Sequence, residues 1–167
     1  MDNSVVLFLL RAIHVVGGVL WVGGVVLVTL FLLPATQALG PTAQPVMQFI
    51  MARRKLPVYM MALGIITTLG GLLLFYRNVS LTAGAWARSP MGIGISIGAA
   101  AAILALVVGM TVSAPAAKKI GAPPVAGVVP LTDEQRAALL RRVAFGSRAT
   151  FYLLLIAALF MATARYF

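Results

Sequence analysis

The sequence predicts an all-α integral membrane bundle of four helices, and three observations carry that prediction. The chain is 62% hydrophobic and only 10% charged, whereas a soluble domain has roughly 25% charged residues and about half apolar ones. Its mean hydropathy is +1.05, so it lacks the polar surface to cover itself in water. The apolar residues fall in four continuous runs, Val5 to Leu33, Leu56 to Tyr76, Met91 to Ala114 and Ala149 to Tyr166. Each run can supply the ~20 helical residues that a hydrocarbon layer ~30 Å thick demands. None alternates as a barrel strand would, and a lone segment in lipid satisfies its backbone only as a helix. A chain of 167 residues makes one four-helix transmembrane domain, residues 1–167, rather than two.

Span one follows the acidic start "MDNS". Its apolar run far exceeds the ~7 to 15 residues of a signal-peptide core, so the expectation is that it stays in the mature protein. The connection after it, "PVMQFIMARRKLPVYMM", places Pro45 at a first helical position and Pro57 at the start of span two. It reads as an interfacial helix lying along lipid headgroups. In span two, Gly64, Thr67, Thr68 and Gly71 share one helical stripe and read as packing residues. The next connection holds Arg77, Arg88 and, at Asn78, a three-residue match to a glycosylation sequon.

Span three repeats small residues at four-residue spacing, Gly94, Gly98 and Ala102, with Gly92, Ser96, Ala99 and Ala100 beside them. Small residues let backbones approach closely, which is what joins helices where no hydrophobic force acts between them. This span is the expected centre of the bundle. After it, "GAPPVAGVVP" reads as a proline-stiffened linker. "TDEQRAALLRRVAFGSR" then opens a helix: Thr132 and Gln135 stand in capping-box spacing, with Asp133 and Glu134 in the first turn where the helix dipole favours acids. That helix, too, is expected to lie at the membrane surface and to run into span four.

Charge gives the orientation. Arg53, Arg54, Lys55, Lys118, Lys119, Arg136, Arg141, Arg142 and Arg148 all fall in the first and third connections and their helix margins. The positive-inside rule puts them in the cytoplasm and both termini on the non-cytoplasmic side. The net charge of +10 is thereby explained by topology and anionic lipid headgroups, without a nucleic acid partner. Membrane lipids are the expected partners, together with other membrane subunits or further copies of the chain.

Few residues carry chemistry. There are no cysteines, which excludes disulfides, thiolate metal sites and cysteine nucleophiles. The three acids are Asp2 and the capping pair Asp133 and Glu134, and no nucleophile–histidine–acid set or phosphate-binding glycine loop is visible. The sequence does not suggest an enzyme. Met60, Met61 and Met110 fall toward the cytoplasmic half and Met161 near the outer end. They are not expected to form one ladder for a soft metal.

The exception is "LLRAIHVVGGVLWVGG", Leu9 to Gly24, which carries Arg11 and the only histidine, His14, inside span one. Ionisable groups within spans usually face the bundle interior and pair with something. Helical geometry puts Arg11, His14, Gly17, Gly18 and Trp21 on one face. One reading is a tetrapyrrole: His14 as axial metal ligand, Gly17 and Gly18 as clearance for the macrocycle, and Trp21 as a wall. Arg11 and Arg165 would then meet propionates at the outer interface. A second ligand must come from Met161, from a partner chain, or from nothing. The competing readings are that the glycines admit another helix to which His14 donates one hydrogen bond, or that His14 serves a proton or a quinone.

The segment "RAIHVVGGVLWVGGVVLV", with a histidine one turn inside the first span and a W-x-G-G element below it, resembles the first helix of the copper-resistance D (CopD-like) membrane superfamily. That group includes membrane protoporphyrinogen oxidases of the HemJ type. "MARRKLPVYMMALGIITTLGGLLL" resembles the HemJ second helix in Met51, Arg53, Arg54, Met60, Thr67, Gly71 and Leu72. The likeness covers the first two spans; spans three and four contain no histidine or lysine. It implies a helical bundle that holds a b-type haem or related tetrapyrrole through His14. Taken together, the expectation is a bacterial inner-membrane protein acting in electron transfer or as a redox subunit. The alternatives are a cofactor-free accessory subunit of a larger membrane complex, and transport of copper or a small solute.

Overall fold

A computed structural model describes residues 3–122 and 131–166. Most of the linker expected over residues 121–130, and Asp2, lie outside them. No strand occurs among the described residues, and four helices are long and apolar enough to cross a membrane. The first helical stretch, Ser4–Arg53, is longer than one crossing needs. It comprises α1 (Asn3–Leu27), a wide π-type turn at Val28–Leu32, α2 (Leu33–Leu39), a 3₁₀ turn at Gly40–Ala43, α3 (Gln44–Gln48) and a second π turn at Phe49–Arg53. Lys55, in the left-handed conformation at φ 53°, turns the chain back into α4 (Leu56–Leu81). Then come α5 (Pro90–Val108), a third π turn at Gly109–Ser113, α6 (Ala114–Gly121) and α7 (Asp133–Thr163).

All four spans belong to helical stretches longer than the hydropathy reading gave. Span two continues to Leu81, because Arg77, Asn78 and Ser80 are compatible with a helix end that projects beyond the apolar layer. Span four is the terminal part of one helix beginning at Asp133, and its start has the expected capping box. Gln135 N–H donates to Thr132 Oγ1 at 3.2 Å while Thr132 N–H donates to Gln135 Oε1 at 3.1 Å.

The bundle is two tight pairs, α1 with α4 and α5 with α7, joined by lighter α1/α7 and α4/α5 seams. We refer to its ends as the terminal end, which holds both chain termini, and the basic end, which holds the first and third connections. The buried stripe of α5 is Gly92, Gly94, Gly98, Ala101 and Ala105. It passes through Ala101 rather than the expected Ala102, because successive steps of four drift off one face of a 3.6-residue helix. The most enclosed span is α7, 39% buried over its most apolar window against 28% for span three, which corrects the expectation that span three is the centre. Ala105 nonetheless sits in the core at 0% exposure, clustered with Trp21, Val25 and Leu154.

Prolines account for two of the π turns. Pro34 and Pro115 each stand two residues past such a turn, and a proline has no N–H for the carbonyl four residues back. For Pro115 that carbonyl belongs to Thr111. Arg142 of α7 supplies the missing donor, Nη2 to Thr111 O at 3.2 Å. At Pro34, Thr36 Oγ1 donates to Leu32 O inside the turn, at 2.6 Å.

Candidate functional site

His14 is half-buried on α1 and faces α4. Its Nδ1–H donates to the carbonyl oxygen of Thr67 at 2.8 Å. Since a carbonyl can only accept, Nδ1 carries the proton, and the tautomer this bond selects has its lone pair on Nε2. The ring lies over Gly71, where a Cβ would stand 2.6 Å from Cε1 and 2.9 Å from Nδ1. Gly70 brings the backbones together in the same way, its Cβ position 3.5 Å from that of His14. Nε2 has no hydrogen-bond partner among the described residues, and it is not among the fully enclosed polar atoms. It therefore keeps access to the outside of the bundle. Interhelical bonds of this kind contribute about 0.6 to 2 kcal/mol in a membrane.

The other expected site residues separate into groups. The space beside Gly17 is filled by Thr67, whose Oγ1 would lie 2.6 Å from a Cβ there, and Gly18 faces the Thr67 methyl at 3.5 Å. The glycine pair thus clears room for α4, and no slot for a planar macrocycle opens between them. Trp21 is buried in the core, its ring edge 3.0 Å from the Cβ position of Gly64, two turns below His14. Met161 packs on Gly98 in the α5/α7 seam. Arg11 is exposed. Arg165 is also exposed, with its guanidinium 4.6 Å above the Tyr166 ring and donating to the Tyr166 hydroxyl. His14, Gly17 and Gly18 are brought together through Thr67, while Met161 and Arg165 belong to the opposite pair of helices. Among the described residues, no group of three or more histidine and acidic side chains could hold a metal ion.

A second feature was not foreseen. In the basic half, a cavity of about 120 Å³ lies between all four spans, lined by Trp21, Val25, Met51, Met60, Met61, Met110 and neighbours. Met60, Met61 and Met110 lie together in one half, as expected, joined by Met51, and Met161 stands apart from them. All three π turns reach this lining, through Val28 and Thr29, through Met51, and through Gly109, Met110 and Ser113. Such turns recur at functional sites because they redirect a side chain without ending the helix. The readable signal was a proline inside each of two apolar helical patterns, Pro34 and Pro115.

Comparison with known proteins leaves these two features to speak for themselves: no family model matches the chain, and no curated protein or solved structure matches it either.

Proposed function

We propose that the chain is a multi-pass protein of a bacterial inner membrane, basic end in the cytoplasm and both termini outside. In this reading it presents His14 as an axial ligand to the iron of a b-type haem or related tetrapyrrole. One observation supports it above the rest: Nδ1 is held by the Thr67 carbonyl, leaving Nε2 as the only accepting nitrogen. Metal-binding histidines are commonly oriented by such a bond on their other nitrogen. His14 would hold such a group from outside the α1/α4 pair, because Thr67 fills the glycine space within it. A site on that surface draws its remaining contacts from a partner subunit or a second copy of the chain. The likeness of spans one and two to the CopD/HemJ group agrees with this role. When bound, the tetrapyrrole supplies one-electron chemistry, and the protein acts in electron transfer or as a redox subunit.

The test is the optical spectrum of protein purified in mild detergent after expression with ample haem. The expected result is a Soret band in the wild type that is absent from His14→Ala. A colourless wild-type preparation overturns the proposal. The second reading, a cofactor-free accessory subunit, draws on the same seam: Thr67 against Gly17, and His14 over Gly71, close α1 on α4 without any bound group. Native-gel migration of the colourless protein as a lone monomer would count against that reading.

A further inference from the structure

The methionine-lined cavity is the second place where the structure departs from close packing, and its chemistry is specific. Two of its hydroxyls are held by neighbouring carbonyls, and Ser113 Oγ is buried without a hydrogen-bond partner. Thr29 Oγ1 donates to Ser147 O at 3.4 Å, Thr150 Oγ1 donates to Ala105 O at 3.5 Å, and Ser113 Oγ abuts the Gly146 backbone. Methyl, methylene, thioether and indole groups make up nearly all of the lining. A cavity of about 120 Å³ is close in scale to the ~150 Å³ apolar cavity that stays dry and takes up benzene. Such a space rejects water and any polar group, because neither would find a hydrogen bond. Methionine walls add adaptability, as at binding surfaces that accept varied apolar shapes. Met110 is 40% exposed, so the cavity communicates with the exterior at that wall, on the light α4/α5 seam.

Beneath it, toward the basic end, lies a larger cavity of about 460 Å³ that shares Val28, Met51, Ala117 and Val143 with the first. Its lining is of another kind: Gln37, Gln44 and Gln48 offer amides, Arg136 a guanidinium and Asp133, at the start of α7, a carboxylate. An apolar chamber that adjoins a polar one, in which the Arg136 guanidinium forms no ion pair among the described residues, matches a molecule built the same way. We propose that the two cavities together bind a single-chain amphiphile with an anionic head, its hydrocarbon end among Met60, Met61 and Met110 and its carboxylate or phosphate near Arg136. The site is independent of the His14 reading, since it lies in the opposite half of the bundle.

The test uses the full chain in phosphatidylcholine nanodiscs with two photoreactive probes carrying a diazirine at the chain end, a fatty acid and a lysophospholipid. Cross-links are mapped by peptide mass spectrometry. The expected result is labelling of Met60, Met61 and Met110 above the lipid-facing residues, and the more efficient probe identifies which head is taken. Gly109 lines the apolar cavity, and a Cβ there meets nothing closer than Thr150 Oγ1 at 4.0 Å. Gly109→Ala is therefore expected to reduce this labelling and Gly109→Leu to abolish it. Gly23→Leu, at a site where a Cβ meets nothing within 4 Å, is expected to leave it unchanged. Competition by a fatty alcohol is expected to be about tenfold weaker than by the acid, the value of one charge-assisted hydrogen bond, and Arg136→Gln to erase that difference. Labelling spread evenly over the lipid-facing residues, or undiminished in a monodisperse Gly109→Leu protein, overturns the proposal. If Gly109→Leu does not fold, undiminished labelling in Gly109→Ala together with equal competition by acid and alcohol overturns it.

Discussion

The two halves of this bundle use the same small and flexible residues to opposite ends. In the terminal half, Gly92 is pressed against the Trp86 carbonyl, Gly71 against the His14 ring, and Gly98 against the Ala157 carbonyl as well as the flexible Met161. In the basic half, the neighbours of Gly24 and Gly121 are the methionines Met60 and Met51. There the helices widen into π turns around a cavity instead of closing on one another. Glycine seals a seam when backbone or a ring meets it, and merely accommodates when the neighbour is an unbranched side chain. Half of the molecule is thus built for close contact and half for tolerance.

That contrast can be broken by substitution, the largest effect coming where the halves meet. Trp21 forms the roof of the cavity and part of the core. Trp21→Ala is expected to cost about 3 to 5 kcal/mol, read as a lowered midpoint of heat-induced loss of monodisperse protein in detergent. Next is the direct comparison of Gly71→Leu with Gly109→Leu. The first drives the His14 ring off its bond to Thr67 and should cost about 2 to 3 kcal/mol. The second points into free volume and should shift the same midpoint little. Equal losses from the two would abolish the distinction between the halves.

A smaller effect is expected at the start of α7, where Thr132→Ala removes one member of the capping box at a cost of about 1 kcal/mol. Faster amide hydrogen exchange confined to the first turn, around Gln135, would report it. The smallest belongs to Thr67, whose hydroxyl is buried without a hydrogen-bond partner. Thr67→Val keeps the shape and removes that stranded group, so stability should be unchanged or slightly raised. A clear loss would mean that the hydroxyl has a partner in the membrane.

Much of this fold was legible because lipid simplifies the problem. Four runs long enough to cross a bilayer become four helices, and the 3.6-residue period put His14, Gly17 and Trp21 on the face of α1 that meets α4. Thr132 and Gln135 announced their capping box because that motif is local. The cavity was not legible. Met51, Met60 and Met110 come from three different helical stretches, and only the rotation of each helix decides whether they meet. Pro34 was read as the end of span one, whereas the chain continues helically past it. The glycines beside His14 were legible as a clearance, but what fills it, a threonine of the next span, depends on the depth at which two helices register.

One contact ties these observations to motion. Pro115 strips Thr111 of its helical donor, and a guanidinium from another helix stands in. The end of span three is thereby held to α7 by this bond as well as by its own turns and by the packing of Ala116 and Ile120 against Val143 and Ala144. Withdrawing that guanidinium, as in Arg142→Ala, is expected to quicken amide exchange around the π turn, which supplies one wall of the methionine chamber.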